Sequence, residues 1–307
     1  MTATQPANLD PGRCSIEART VSASGHVFIH EQEATSNKTI GGQDHDRPAL
    51  LPCVAMLDRI TPLILTRDEE ANIGRTLAQL TWATEVVVVD SVSTDATVAI
   101  ARRFANVRVV QRAFDSHAAQ WTFGADQVTT DWVLTLDADY FVPETFAREI
   151  ASLEPPPDVA GYEAAFVYAV NGRPLRATLY TPRVVLLRRG AFEIWQDGHT
   201  QRVRVHGRVE RLQTPLTHDD RKDLRRFIGR QRAYMHKEAS KLRAARWRDL
   251  PVSGRLRKLR IVAPFATFLY TLFGKRTILD GSAGLRYAFE RFLAEVILSI
   301  ELFRSRT

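Results

Sequence analysis

Leu134-Thr-Leu-Asp137-Ala-Asp139 is the stretch on which the reading of this chain turns. It sets two carboxylates, one residue apart, at the end of an apolar run with the character of a buried strand. Desolvating a carboxylate costs more than its packing returns unless a partner is present. Asp137 and Asp139 are therefore expected at the open edge of a sheet, facing positive charge. Oxygen ligands of this kind suit a hard divalent cation, and Mg²⁺ favours one or two carboxylates beside substrate phosphates. The pattern suggests a metal-bridged phosphate compound. An acidic turn closing a strand is the plainer alternative, and the neighbouring sequence decides between them.

Outward from this point the chain alternates. Ile60 to Thr66 reads as a strand and Ala71 to Leu80 as a helix; Glu85-Val-Val-Val-Val-Asp90 is a β-branched run suited to a strand covered on both faces. Thr94 to Phe104 reads as a helix capped by Ser93 or Thr94, Val107 to Gln111 as a strand, Ala118 to Val128 as a helix and Trp132 to Leu136 as a strand. Alternation at these lengths implies an α/β fold, a mostly parallel sheet with helices on both faces. Thr66, Asp90 and Asp137 all fall at strand carboxyl ends, the edge where such sheets bind ligands. After Pro155-Pro-Pro157 the pattern changes. Gly161 to Ala169, Arg183 to Arg188, Arg202 to Val205 and Pro215 to His218 read as strands of a more antiparallel extension.

Composition narrows the class. With 307 residues, 45% of them hydrophobic, the chain can bury one substantial domain with additions. Residues 1 to 55 lack periodicity and are expected to form a disordered extension. Its polar start, Met1 to Gly12, gives no expectation of a secretory signal. Two cysteines, Cys14 and Cys53, do not make a disulfide framework and fit a reducing compartment. No apolar run reaches the roughly 18–20 residues that span a bilayer. The net charge of +7 favours nucleic acid, anionic membrane or phosphorylated compounds as partners.

Three blocks together carry a family resemblance: Thr61-Pro-Leu-Ile-Leu-Thr-Arg-Asp-Glu-Glu-Ala-Asn-Ile73, Val86-Val-Val-Val-Asp-Ser-Val-Ser-Thr-Asp-Ala-Thr97 and Trp132-Val-Leu-Thr-Leu-Asp-Ala-Asp139. In order and spacing they resemble family 2 glycosyltransferases, and within these the bacterial branch that adds sugars to the lipopolysaccharide core. The likeness covers Ile60 to Tyr140 well and continues more loosely to His218. It implies a GT-A fold over 56–219, a nucleotide-sugar donor (by family habit UDP-linked), Mg²⁺ or Mn²⁺, and transfer of a hexose with inversion. Sugar transfer needs the departing nucleoside diphosphate neutralised, which a metal does without moving a proton. Asp139 is then the first choice of metal ligand, with Asp137 on the donor ribose or in the metal's surroundings. Asp90 accepts hydrogen bonds from base or ribose, and Thr66, Glu69 and Ser93 frame the nucleotide pocket. Asp95 either joins them or caps the next helix, and Glu69 has the same alternative as an early-turn charge.

An inverting displacement also needs a base for the acceptor hydroxyl. Trp195-Gln-Asp-Gly-His-Thr-Gln-Arg202 lies where the family carries its acceptor-side acidic motif, which makes Asp197 the preferred base and Glu163 the reserve. Relatives often have His-Glu here, whereas His199 is followed by Thr200. His199 and His218 each either complete a metal or diphosphate site or sit as satisfied sheet residues. Gln120-Trp-Thr-Phe123 departs from the common Gln-Lys-Asn-Phe. These departures leave room for a catalytically silent relative. A nucleotidyltransferase would show a Gly-rich basic loop after the first strand, and Thr66-Arg-Asp-Glu69 is not one.

Between Arg221 and Arg260 stand fifteen Lys and Arg against Asp223, Glu238 and Asp249. Asp219 to Trp247 reads as a long basic helix within a helical region over 220–307. Ile261 to Phe273 is an apolar run too short to span but suited, with Lys275 and Arg276, to the headgroup region of a membrane. Ile278-Leu-Asp-Gly-Ser-Ala-Gly284 resembles a C-terminal motif of the lipopolysaccharide branch, and Phe289 to Phe303 reads as an amphipathic helix. The expected partners are an anionic membrane surface at the cytoplasmic face and a lipid-linked or glycan acceptor. Nucleic acid is not expected, since no binding motif accompanies the charge.

Overall fold

The computed structural model describes residues 55–197 and 200–304. The expected N-terminal extension (Ala55 apart), both cysteines and His199 lie outside the described residues. Ile60–Thr66 forms β1, Val86–Asp90 β2, Val107–Gln111 β3 and Trp132–Asp137 β4. Every residue of β2 is buried, as a valine run covered on both faces should be. β4, β1, β2 and β3 lie side by side and parallel. Thr66 stands opposite Asp90 and Leu65 opposite Asp137, so the polar strand ends share one edge.

The connecting helices are α1 (Ile73–Leu77), α2 (Thr97–Ala101) and α3 (His117–Asp126). The first two are shorter than expected, because turns take up the flanking residues. Tyr140–Phe141 forms β5, and Glu144–Ala151 forms α4 where no element is expected; Phe146 and Ile150, one helical turn apart, are both fully buried and fix it. Ile73, Leu77, Phe146 and Ile150 pack on Ile60, Ile64, Val86 and Val88 on one side of the sheet. Trp121 of α3 packs on Leu63, Val87, Val89 and Val133 on the other. Helices therefore cover both faces. Gly124 lets α3 lie close, since a Cβ there would come within 2.7 Å of Leu63 Cδ1.

The strand expected over 161–169 is two strands, β6 (Val159–Ala164) and β7 (Phe166–Val170). Arg173–Pro174 is β8, Arg183–Arg188 β9, Phe192–Asp197 β10, Thr200–Val205 β11, Arg208–Arg211 β12 and Leu216–His218 β13. Among the described residues one sheet has the order β12-β6-β9-β4-β1-β2-β3, and a smaller one the order β5-β13-β7-β8. The break at Ala165 hands the chain from the first sheet to the second. β9 is antiparallel to β4 and β6, but β12 runs parallel to β6 and β13 parallel to β7. The extension is thus more antiparallel than the first half of the fold, as expected, with β12-β6 and β13-β7 as its two parallel pairings among the described residues. β10 and β11 form a hairpin whose Phe192 and Ile194 pack against the α3 side of the sheet.

The basic helix α5 covers Leu224–Ala244 and starts later than expected, because Asp223 caps it by accepting from Arg226 N at 2.7 Å. Residues 219–222 are left outside the helix. α6 (Val252–Lys258), α7 (Val262–Leu269), a π turn at Tyr270–Gly274 and α8 (Gly281–Arg304) complete the chain. α8 packs on α5 through Leu298, Leu302, Met235 and Ala239, and on β7 through Tyr287, Ala283, Tyr168 and Val170. No helix among the described residues is long and apolar enough to cross a membrane.

Candidate active site

The edge formed by β1 and β2 is built on Asp90, which is fully buried. Its Oδ1 accepts from Thr66 Oγ1 at 2.9 Å and from Ser93 Oγ; its Oδ2 accepts from Ser93 N at 2.9 Å and Gln111 Nε2 at 3.2 Å. A carboxylate has about four lone-pair positions, and these four donors fill them. In this geometry Asp90 shapes the loop after β2, and Thr66 and Ser93 serve it. The loop carries a strained residue as well: Val92 is β-branched, exposed and at φ +57°.

The loops after β1 and β2 are laced to each other. Asp68 N donates to Ser93 Oγ at 2.9 Å, Glu69 N to Thr97 Oγ1 at 2.7 Å and Glu70 N to Asp95 Oδ2 at 3.3 Å. In return Thr94 N donates to Asp68 Oδ1 at 2.8 Å and Ala96 N to Glu70 Oε2 at 3.2 Å. From the position before Ala96, the N-cap of α2, Asp95 also accepts from Thr97 N at 2.9 Å. Burial opposes its charge, yet the Thr97 and Glu70 hydrogen bonds and the Arg226 guanidinium hold its carboxyl below the usual range. Behind the loop, Gln120 donates to Ser91 Oγ at 2.8 Å and to Arg112 O at 2.9 Å. Of the two departures beside it, Trp121 is core and Thr122 is exposed.

Asp139 sits in the next basin, buried at 8% exposure. Its Oδ2 lies 3.1 Å from His218 Nε2, while its Oδ1 is buried with no hydrogen-bond partner among the described residues. Burial opposes the Asp139 charge, but His218, with Lys222 and Arg230 nearby, holds its carboxyl down at about 2. His218 is shifted the other way: burial lowers it, and the Asp139 charge more than restores it above the ordinary imidazole value. Its ring stacks on Tyr180 at 5.1 Å and meets Tyr168 at 4.8 Å and Tyr140 at 5.6 Å. Tyr140 and Tyr180 share a 2.7 Å hydroxyl contact, and burial followed by the charge of Asp137 pushes both phenols up. Asp137, at the end of β4, is partly exposed.

The segment after His218, read from sequence as helix, supplies residues the sequence did not reveal. Asp219 N donates to Asp139 O at 3.0 Å, and Asp219 pairs with Arg75 at 3.0 Å and Arg221 at 2.6 Å. Asn72 is fully buried; its amide donates to Glu69 at 2.9 Å and to Asp220 at 3.0 Å, and its oxygen accepts from Arg75 and Arg221 N. Lys222 pairs with Glu69 and Arg230 with Asp220. Burial and the charge of Asp139 push Glu69 up to about 7 in spite of Lys222. His218-Asp219-Asp220 is a second acidic run at a strand end, and that was the available signal.

One face of α5 lies along this edge. Arg226 pairs with Glu70 at 3.2 Å and Asp95 at 3.6 Å, and Arg230 with Asp220; Tyr234 meets the His117 ring at 6.2 Å, Lys237 the Phe114 ring at 5.8 Å, and Lys241 pairs with Asp197 at 2.6 Å. Spacings of four, four, three and four make these positions one helical stripe. Three cations of α5, a helix expected to face a membrane, are thus engaged with acids along the edge: Arg226, Arg230 and Lys241.

Asp197, at the end of β10, also meets Arg202 Nε at 2.9 Å. The hydrogen bonds from Lys241 and Arg202 hold its carboxyl below the usual range, which makes it a weaker base in this geometry. Glu163 stands on β6 between Val184 of β9 and Arg211 of β12, partly buried. Among the described residues no group of three or more His, Cys, Asp or Glu is placed to hold a metal. The bare Asp139 Oδ1 fits a divalent cation whose remaining ligands come from a diphosphate and water.

Residues 63–209 match the model of glycosyl transferase family 2. An uncharacterised glycosyltransferase of Rickettsia conorii is 34% identical over 31% of this chain and 34% of its own length. The lipopolysaccharide core biosynthesis glycosyltransferase LpsC of Rhizobium meliloti is 30% identical over 26% of this chain and 31% of its own. The chain thus spans about a third of the length of the curated relatives it matches. Among solved structures, S. aureus TarS 1-349 in complex with UDP-GlcNAc aligns over 81% of this chain and 92% of its own at 14% identity and a TM-score of 0.40. Glucosyl-3-phosphoglycerate synthase from Mycobacterium tuberculosis, in complex with Mn²⁺, UDP and phosphoglyceric acid, aligns over 36% and 43% at 20% identity and 0.31. With the strand order, the laced loops and the acidic strand ends in place, residues 63–209 match a glycosyl transferase family 2 domain.

Proposed function

We propose that the protein transfers a hexose, with inversion, from a UDP-linked donor to a lipid-linked or lipopolysaccharide-type glycan acceptor at the cytoplasmic face of the inner membrane. The observation that carries this reading is the buried, unpartnered Oδ1 of Asp139 at the sheet edge, beside the paired cations Lys222 and Arg230. Mg²⁺ or Mn²⁺ held there would neutralise charge on the departing nucleoside diphosphate. His218 fixes the orientation of Asp139 by engaging its other oxygen. The loops around Thr66, Glu69, Ser93 and Asp95, organised by Asp90, frame the nucleoside, and Asp137 faces the same edge. His199 of the acceptor-side motif is assigned, as from sequence, to the metal or diphosphate. Asp197 takes the acceptor proton once the acceptor draws Lys241 and Arg202 away from it, with Glu163 in reserve.

The test is donor binding and hydrolysis by the full chain, with UDP-hexoses in the presence and absence of Mn²⁺. A ligand that binds only the folded state raises apparent stability by mass action, so the true donor should lift the melting temperature only with metal. Asp139→Ala should abolish both this rise and turnover. Turnover that ignores metal and survives Asp139→Ala would overturn the reading, and absence of any donor effect would favour a catalytically silent relative.

A further inference from the structure

The outer face of the C-terminal helices carries a run of exposed apolar residues that the proposed chemistry does not use. On α8, Leu285, Phe289, Phe292, Val296, Ile300 and Phe303 follow spacings of four, three, four, four and three, a single stripe. Leu285, Phe289, Ile300 and Phe303 are exposed by 44–52%. α7 and its π turn add Phe265, Leu269 and Phe273, each more than half exposed. The two stripes are continuous, because the Phe265 and Phe292 rings meet at 5.5 Å and Phe289 and Phe292 stack at 6.3 Å. A groove of about 410 Å³ lined by Phe268, Leu285 and Phe289 opens between the helices. Exposed patches of this kind mark interaction sites.

Charge selects the partner. Between Leu250 and Arg304 the chain has four acids, Asp280, Glu290, Glu295 and Glu301, and each is paired within the protein, with Arg176, Arg286, Arg257 and His236 respectively. Glu290 and Glu295 are buried as well. Lys275 and Arg276 directly follow the apolar stripe of α7 and its π turn, and Arg260 lies 4.7 Å over the Phe303 ring at the other end of α8; none of the three has a carboxylate partner among the described residues. An aromatic face bordered by unpaired cations, with its own acids turned inward and paired, complements an apolar layer beneath anionic headgroups.

We infer that the α7–α8 face is a docking surface for an anionic bilayer, lying in the headgroup region without crossing it. This names the surface behind the membrane placement proposed above. It stands apart from sugar transfer, because vesicle binding needs neither donor nor metal. The test is co-sedimentation of the full chain with vesicles of phosphatidylcholine, alone or with phosphatidylglycerol added. Binding is expected to the mixed vesicles and to be at least tenfold weaker to phosphatidylcholine alone. Lys275→Gln with Arg276→Gln should weaken binding by about thirtyfold, at roughly one lost interaction per charge. Phe265→Ser with Phe289→Ser should weaken it at least tenfold while the protein stays folded with only a small drop in unfolding temperature, since about half of each side chain is already exposed in the free protein. Unaltered binding by the Phe variant would overturn the proposal. So would absence of vesicle binding together with a dimer, seen by sedimentation velocity, that the Phe variant dissolves, because the face would then serve a second copy of the chain.

Discussion

The ring of Tyr287 on α8 lies 4.6 Å from that of Tyr168 on β7, and Tyr168 lies 4.8 Å from His218, which engages Asp139. One run of aromatic contacts therefore joins the C-terminal helices to the acidic edge. Tyr287 is 2% exposed and its hydroxyl accepts from Leu179 N at 3.0 Å. Tyr287→Phe should cost about 1 kcal/mol, the worth of one hydrogen bond. Tyr287→Ala should cost about 3 kcal/mol or more through the cavity it leaves. Urea unfolding of both variants checks the pair of values.

Removing one member of a buried ion pair leaves the other charge uncompensated, at a cost of about 3 kcal/mol. His218→Ala should lose stability on that scale. Asp139→Asn in the same chain should return part of the loss, because the stranded charge is gone. A double-mutant cycle by denaturant melting measures this; strict additivity of the two changes would show that the 3.1 Å contact does not operate in solution.

Asp90→Asn keeps the shape of the side chain and turns two of its acceptor positions into donors. The new amide would face either Ser93 N and the Gln111 amide, both already donors, or the Thr66 and Ser93 hydroxyls, whose protons would then lose their acceptor. A destabilisation of about 2 kcal/mol is expected from the unsatisfied groups. Nucleotide affinity should fall with it, as the Val92 loop loses its anchor, and calorimetric titration with UDP follows that effect.

Acid sensitivity can be traced to Glu149, whose carboxylate accepts from Gln213 N at 2.7 Å and Thr214 N at 2.8 Å. Burial opposes its charge, but these hydrogen bonds outweigh it and hold its carboxyl below the usual range. A depressed carboxyl contributes stability above its unfolded pKa and loses it as pH falls. Its share should be lost progressively as pH falls through and below the ordinary carboxyl range. Glu149→Gln should be less stable than the wild type at neutral pH and show a flatter acid limb in melting temperature against pH.

A positioned base contributes about 10²–10⁴ to a proton-transfer step. Asp197→Asn should lower kcat for transfer within that range and leave metal-dependent donor binding unchanged. If Glu163→Gln produces that loss instead, the base is Glu163. Single-turnover measurements with saturating donor distinguish the two.

The parallel half of the fold was legible because valine-rich strands such as Val86–Asp90 announce themselves by composition, and their ends fall at one edge by geometry. The break at Ala165 was not legible. Both strands around it are apolar, and the exchange of sheets depends on partners, β13 and β9, that are distant in sequence. In the site, Asp139 and His218 could be read as strand-end residues. Asp219 and Asp220 carried a signal too, as an acidic run at the end of β13, but Asn72 and Lys222 did not, since a buried polar cluster has no period. The same limit applies to α5. Its positive charge was plain in the sequence, but which cations meet Glu70, Asp220 and Asp197 is decided only when the helix lies against the edge.

That engagement of α5 and Lys222 alters how an anion would arrive. Arg230 and Lys222 already hold Asp220 and Glu69, so an incoming diphosphate must displace a resident carboxylate to reach either cation. Entry becomes an exchange of counter-ions within a screened basin, and its ionic-strength dependence should be shallower than that of a ligand attracted to bare charge.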